Sequence, residues 1–409
     1  MKKYNEKIHT LLSYLYQFRV LTYDQIYQSV FSDCTDSYCQ KILKSAVSEF
    51  AAVCKNGFYL KDSYYTISRT GITLLKSWGI IRIEDKNEVI FPDKLLSSSD
   101  IKLADTKVSH QLALNQFVLD FFATGIPAKY YDEIYVSSIF RNIRPDGVLL
   151  IGNTCYFLEM DMATERKQRL MQKWESYRNF LTSGEQEKLG YKIRVLFIIE
   201  SADITTRTKN LEEYILDNLS DFISPTFNIY IGKSQPLLSL IQKQQKKEPP
   251  EIVSLLQDRG FSVTSGLFKT DMLSGYSYRY YVYKKRKDGG IETVNGIPVE
   301  FVLDDATGEV SNLLVAKNTT LYPSFAAAFG NSQGRNIPYV VSLPSVRDAY
   351  HIQKIRDTFD YDISFITPER FSKMPIFEAL FSIDRYGNYW HYKKDNPKIR
   401  IEEGVLSSL

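Results

Sequence analysis

Cysteine and histidine are scarce. The 409 residues hold four of each, and the cysteines are Cys34, Cys39, Cys54 and Cys155. No second cysteine pair and no nearby histidine pair completes zinc spacing, so a zinc-built fold is excluded. Buried, reduced thiols of a cytoplasmic protein are the expectation. No apolar run reaches the roughly 18 residues that a membrane span needs, so no membrane insertion is expected. The start, MKKYNEKIHTLLSYLYQF, carries charges and tyrosines where a secretory signal would be apolar. An excess of one charge is also missing. Lys plus Arg number 51, Asp plus Glu 48, and the net charge is +3. Any grip on nucleic acid must therefore come from local patches.

What is present is a globular composition, 44% hydrophobic and 24% charged, with 29 Tyr and 24 Phe. This length exceeds one ordinary core and predicts two or three domains. Residues 1–80 read as three helices followed by a β-hairpin. Ile8, Leu11, Leu12 and Leu15 mark the first helix, Thr22 caps the second and Asp36 the third. The hairpin turns at Lys55-Asn56-Gly57. That order is the winged-helix form of the helix-turn-helix. Gln40, Lys41 and Lys44 lie on the expected outer side of the third helix, where it would enter a major groove. A winged helix that binds protein and no DNA fits the same pattern.

Residues 81–108 are polar and Ser-rich and read as a linker. From Ser109 a helix runs to Gly125, followed by alternating strands and helices to residue 232, with Thr164 as a helix cap. KSQPLLSLIQKQQKKEPP reads as a second linker over 233–250. Residues 251–409 read as a further α/β domain of uncertain type; a distant repeat of the middle domain is conceivable, but no convincing self-similarity marks it. Its YKKRK segment (283–287), beside the Tyr-rich 276–283, reads as a phosphate-contacting hairpin or a solvated tip.

The stretch RPDGVLLIGNTCYFLEMDMATE (144–165) places three carboxylates among buried-strand residues. A two-residue turn at Gly152-Asn153 pairs residues whose numbers sum to 305. Asp146 then faces Glu159, and Arg144 faces Asp161, all on one side. Like charges placed across a ladder need a proton, a cation or an arginine. A divalent metal on Asp146, Glu159 and a carbonyl near Met160 is one solution. Arg144 bridging Asp161, with Asp146 capping a turn, is the other, and the residues alone leave both open.

Pro145-Asp146 followed by Glu159-x-Asp161 resembles the PD-(D/E)xK nuclease core. More specifically, RPDG, FLEMDMATE, His110 in SHQLALNQF, Lys173 and Tyr177 resemble the replication-relaxation family of plasmid proteins, related to MobC-type relaxases, over about residues 1–230. The resemblance implies an N-terminal winged helix (1–80) and a central nuclease-like α/β domain (109–232). It implies Asp146, Glu159 and Asp161 as ligands of Mg²⁺ or Mn²⁺. The motif's usual lysine is replaced by Asp161, and Lys173, four residues from Arg169 and Tyr177 on one helix face, is the substitute. Arg144 would contact phosphate or fix Asp161, and His110 and Tyr177 are accessory. His110 and Asn115 could flank the mouth of the site. The expected function is nicking of one strand at a double-stranded plasmid origin in the bacterial cytoplasm, with transfer or replication machinery as further partners. A non-catalytic origin-binding protein, or a transcriptional regulator, is the alternative.

Overall fold

The computed structural model describes residues 6–57, 63–81, 95–137, 139–162, 167–200, 204–265, 279–294, 297–306, 310–333, 337–346, 348–354, 363–391 and 399–400. The chain is a multidomain α/β protein that divides into two compact units, 1–200 and 201–409.

The first unit opens with α1 (Glu6–Phe18), β1 (Val20–Thr22), α2 (Tyr23–Val30), α3 (Asp36–Ser48), β2 (Val53–Asn56), β3 (Tyr64–Ile67) and α4 (Arg69–Ser77). The strands form an antiparallel sheet in the order β1-β3-β2. Three helices and then a hairpin follow in the order expected from the sequence, and β1 is a strand the sequence pattern did not disclose. Thr22 and Gln25 close a capping box on α2. Thr35, and not Asp36, caps α3, because its hydroxyl accepts the Tyr38 N–H. Ile42, Leu43 and Ala46 face the core. Cys39 is buried but Cys54 is exposed, since alternation along β2 turns Val53 inward and Cys54 outward.

Next come α5 (Ser98–Ile101), α6 (Asp105–Ala123), β4 (Lys129–Asp132), α7 (Glu133–Val136), β5 (Gly147–Ile151), β6 (Thr154–Asp161), α8 (Lys167–Thr182), α9 (Glu185–Leu189) and β7 (Lys192–Ile199). The expected 81–108 linker is therefore partly built: Leu96 and Ile101 are buried, and α6 starts four residues before Ser109. Its part over 82–94, like the Thr164 cap, lies outside the described residues. After β4 the chain turns into α7, because the Asp132 carboxylate accepts the Ile134 N–H and starts a turn. The strands β4, β5 and β6 are antiparallel neighbours, and β7 runs parallel to β6. The turn is at Gly152-Asn153 with Gly152 at φ +54°, and Ile151 pairs with Thr154. Gly147 must lack a side chain, since a Cβ there would sit 2.9 Å from the Tyr130 ring.

α6 is apolar around much of its surface because it is covered on two sides. Asn115 is fully buried and donates to the carbonyls of Phe18 and Val20. Gln25 donates to the Leu112 carbonyl. Arg19, buried and at φ +66°, pairs with Asp132 at 3.3 Å and donates to Ile101 and Asp100 carbonyls. Phe18 stacks on Tyr130 with centroids 5.4 Å apart. Buried polar groups need their partners, so these bonds lock the winged helix to the β4–β7 sheet.

The second unit holds α10 (Ile204–Leu219), β8 (Phe227–Gly232), α11 (Ser234–Lys246), α12 (Glu251–Asp258), β9 (Phe261–Ser265), β10 (Tyr280–Lys284), β11 (Thr293–Val294), β12 (Ile297–Pro298), β13 (Glu300–Asp305) and β14 (Val310–Asn312). It continues with α13 (Leu313–Gln333), β15 (Tyr339–Ser342), α14 (Asp348–Lys354), β16 (Ile363–Ile366), α15 (Pro368–Lys373), α16 (Ile376–Ala379), β17 (Phe381–Ile383), β18 (Tyr389–His391) and β19 (Ile399–Arg400). Eight strands form one sheet in the order β19-β18-β17-β16-β15-β13-β10-β9. The expected linker at 233–250 is instead largely α11, whose Leu237, Leu238, Leu240 and Ile241 are buried. Its glutamines and lysines are the solvated side of an amphipathic helix. β8 pairs antiparallel with β14, Gly232 opposite Val310.

Candidate functional site

The site is built where β5, β6, α6 and α8 meet. Asp146 lies one position beyond the last β5–β6 ladder pair, Gly147 with Leu158, and so stands across from Glu159. Its N–H still donates to the Leu158 carbonyl at 3.0 Å. Its Oδ2 accepts the Met160 N–H at 2.9 Å and lies 3.4 Å from His110 Nε2. His110 Nε2 also lies 3.1 Å from the Met160 carbonyl. The Asp146 side chain is 22% exposed, so the site reaches solvent on this side.

Glu159 is the buried half, with its side chain 1% exposed. Tyr177 donates its hydroxyl to Oε1 at 2.6 Å, and Lys173 Nζ stands 2.8 Å from Oε2. Oε2 accepts no directed hydrogen bond, so the lysine meets it as an ion pair and leaves lone-pair capacity. Both partners come from α8. Leu170, Trp174, Tyr177 and Phe180 are its buried face, and Lys173 flanks that face with its ammonium 5.6 Å from the centre of the Phe197 ring.

Burial pushes the Glu159 carboxyl up to about 7; Lys173 opposes the rise and Asp146 adds to it. Asp146 goes the other way. Burial would raise it, but the His110 hydrogen bond and the Lys173 charge outweigh burial and hold it below its ordinary value. His110 is pulled down by burial and raised more by Asp146, ending above its ordinary value. Two facing acids pushed to opposite sides of the usual carboxylate range are a pattern found at functional sites.

The structure thus brings together Asp146, Glu159, Lys173, His110 and Tyr177. It does not bring in Asp161. That residue is fully buried at the last ladder position, opposite Ile199, and its carbonyl accepts the Glu200 N–H. It lies two residues, about 6–7 Å of strand, past Glu159, beyond the end of β5. Among the described residues no three His, Cys, Asp or Glu side chains group so as to hold a metal ion. The two carboxylates that stand across from one another here are Asp146 and Glu159. Arg144 neither faces nor bridges Asp161: with β5 ended, it turns to Glu133, 3.1 Å away. Asn115 does not flank the site either, being used up between α6 and the winged helix. On α3, Lys41 and Lys44 are exposed, while Gln40 is half-buried and donates to Asp36.

A hard divalent cation fits this donor set. Both Asp146 contacts fall on one of its oxygens, and the Met160 carbonyl lies 3.1 Å from the same His110 nitrogen that stands 3.4 Å from Asp146. Two carboxylates and one carbonyl, with water and phosphate oxygens completing the shell, suit Mg²⁺ or Mn²⁺.

No helix among the described residues is long and apolar enough to cross a membrane. Neither a curated protein nor a solved structure matches the chain. Residues 12–195 match the model of the replication-relaxation family, a span that takes in most of the winged helix and every residue of the acidic site. The family points to a role in plasmid replication or relaxation, with DNA or the replication apparatus as partner. By that match, residues 12–195 belong to the replication-relaxation family.

Proposed function

We propose that the protein binds plasmid origin DNA through its winged helix and nicks one strand at the Asp146–Glu159–Lys173 centre. The observation that carries this reading is Lys173 Nζ, 2.8 Å from Glu159 Oε2. It supplies from α8 the cation that the nuclease pattern ordinarily places at position 161.

Asp146, Glu159 and the Met160 carbonyl would hold Mg²⁺ or Mn²⁺, which when bound polarises a phosphate and acidifies a water. Lys173 offsets the negative charge that grows on the phosphoryl oxygens as water attacks phosphorus and the bond to the sugar oxygen breaks. Tyr177 fixes the Glu159 carboxylate by its hydroxyl. His110 orients Asp146 and lies on the side of the site that reaches solvent. Lys41 and Lys44 provide phosphate or base contacts from α3. The buried bonds of Arg19 and Asn115 make reading and cutting parts of one rigid unit.

The test is conversion of supercoiled origin plasmid to open circles with Mn²⁺. The unchanged chain should nick. Asp146→Ala with Glu159→Ala should bind the same DNA and leave it intact, and Lys173→Ala should slow nicking by about 10²-fold or more. Nicking that survives the double change contradicts the assignment. Absence of nicking by the unchanged chain favours a second reading, a non-catalytic origin binder. The pairing of both acids with Lys173 and His110 supports that reading.

A further inference from the structure

The second unit repeats the architecture of the first unit's sheet. In the first, α6 leads into three antiparallel neighbours, β4, β5 and β6; α8 and α9 follow, and β7 returns parallel to β6. In the second, α12 leads into β9, β10 and β13, again antiparallel neighbours. The short strand β14, which pairs with β8, and then α13 follow, and β15 returns parallel to β13. The hairpin β11–β12 is an insertion between β10 and β13.

The register places the same positions together. Glu159 and Asp146 sit one step beyond the last pair of their ladder, Leu158 with Gly147. Asp304 and Arg279 sit one step beyond the last pair of theirs, Leu303 with Tyr280. Fourteen residues separate Glu159 from Lys173, and fourteen separate Asp304 from Asn318; eighteen separate Glu159 from Tyr177 and Asp304 from Tyr322. The contacts agree at the first of these positions and differ at the second, where the Tyr322 hydroxyl donates to the Ile337 carbonyl and Tyr339 reaches Asp304 instead. Lys173 meets Glu159, and Asn318 donates to Asp304 at 2.7 Å from the corresponding helix.

The substitutions are not neutral. Where the first core has a second acid, Asp146, this one has the cation Arg279, whose backbone N–H donates to Asp304 at 2.8 Å. Where the first has Lys173, this one has Asn318. Asp304 is nearly fully buried, and its two oxygens are taken by the Arg279 N–H, Asn318 and the Tyr339 hydroxyl. A lone acid saturated by three donors beside an arginine has neither the charge nor the lone pairs for a divalent cation.

We infer that residues 251–342 are a second nuclease-like core whose cation site has been cancelled by Arg279 and Asn318, leaving one cleaving centre per chain. This rests on the proposed function for the word cleaving, and on topology and register alone for the duplication. One live and one silent core match a protein that nicks and does not cut both strands.

The test is Mn²⁺ binding to the full chain by calorimetry, beside plasmid nicking. Asp304→Asn should leave both unchanged, and a loss of either with the melting transition retained overturns the inference. In a Glu159→Gln background, which removes the first site's signal, Arg279→Asp with Asn318→Lys should create Mn²⁺ binding, and adding Asp304→Asn should abolish it. No binding by a variant that still melts cooperatively overturns the equivalence. Failure of the unchanged chain to bind Mn²⁺ counts against the first core's chemistry, and the rebuilt site still decides the duplication.

Discussion

Replacing Lys173 by methionine keeps the aliphatic bulk and deletes the charge beside a carboxylate that is 1% exposed. The cost should depend on pH. Burial lifts the Glu159 carboxyl from 4.5 to about 7, with Lys173 opposing the rise. A raised carboxylate means the folded chain holds a proton that the unfolded chain has released. Stability therefore falls as pH climbs from about 4.5 towards 7, and the fall stops once the folded group ionises. Without Lys173 the folded group ionises later still, so the fall continues. Near pH 5.5 Glu159 is protonated in both chains, and the ammonium acts on the Asp146 carboxylate alone. Near pH 8, one unit past the folded value, the variant should have lost about 1.4 kcal/mol more than the unchanged chain, since one unit of pH is worth that much per proton. Urea unfolding followed by tryptophan fluorescence at the two pH values reads this, Trp174 being fully buried on the same helix. An equal penalty at both pH values, or none near pH 8, would refute the reasoning.

Arg19→Ala strands Asp132, whose carboxyl burial already pushes up to about 6. It should cost about 3–5 kcal/mol near neutral pH, read by urea unfolding. Asn115→Ala removes the donor to two buried carbonyls, Phe18 and Val20. It should cost about 1–3 kcal/mol, and hydrogen exchange at residues 18–22 should rise. Lys41→Ala and Lys44→Ala should each lower the salt-dependence slope of origin binding by about 1, measured by fluorescence anisotropy. Tyr177→Phe should leave the fold intact and raise the Glu159 carboxyl further, seen by carboxyl NMR titration, because the hydroxyl that stabilises the anion is gone.

The hairpin is legible in the sequence because a Gly-Asn turn fixes the register and register fixes which side chains face each other. Lys173 and Tyr177 are legible through helical spacing, since i and i+4 share a face. Asp161 misleads because alternation puts it on the Glu159 side, while nothing in the pattern shows that β5 ends at Gly147. Arg144 misleads for the same reason. The polar stretches at 81–108 and 233–250 read as linkers because a short capped turn and an amphipathic helix both show mostly solvated residues. Leu96, Ile101 and the α11 leucines are the buried minority. The duplication of the core is hidden because the spacing is kept but the chemistry has changed: Arg279 and Asn318 do not resemble Asp146 and Lys173. Only the two ladder registers reveal it.

On the proposed reading, Asp146 and Glu159 face one another to share a cation. The most direct measurement is an anomalous difference map from a crystal of the full chain soaked in Mn²⁺. The account predicts a single peak bounded by the Asp146 and Glu159 carboxylates and the Met160 carbonyl, with Lys173 beside it. A map with no peak there at saturating Mn²⁺, and Lys173 and His110 still closing on the two acids, would contradict it.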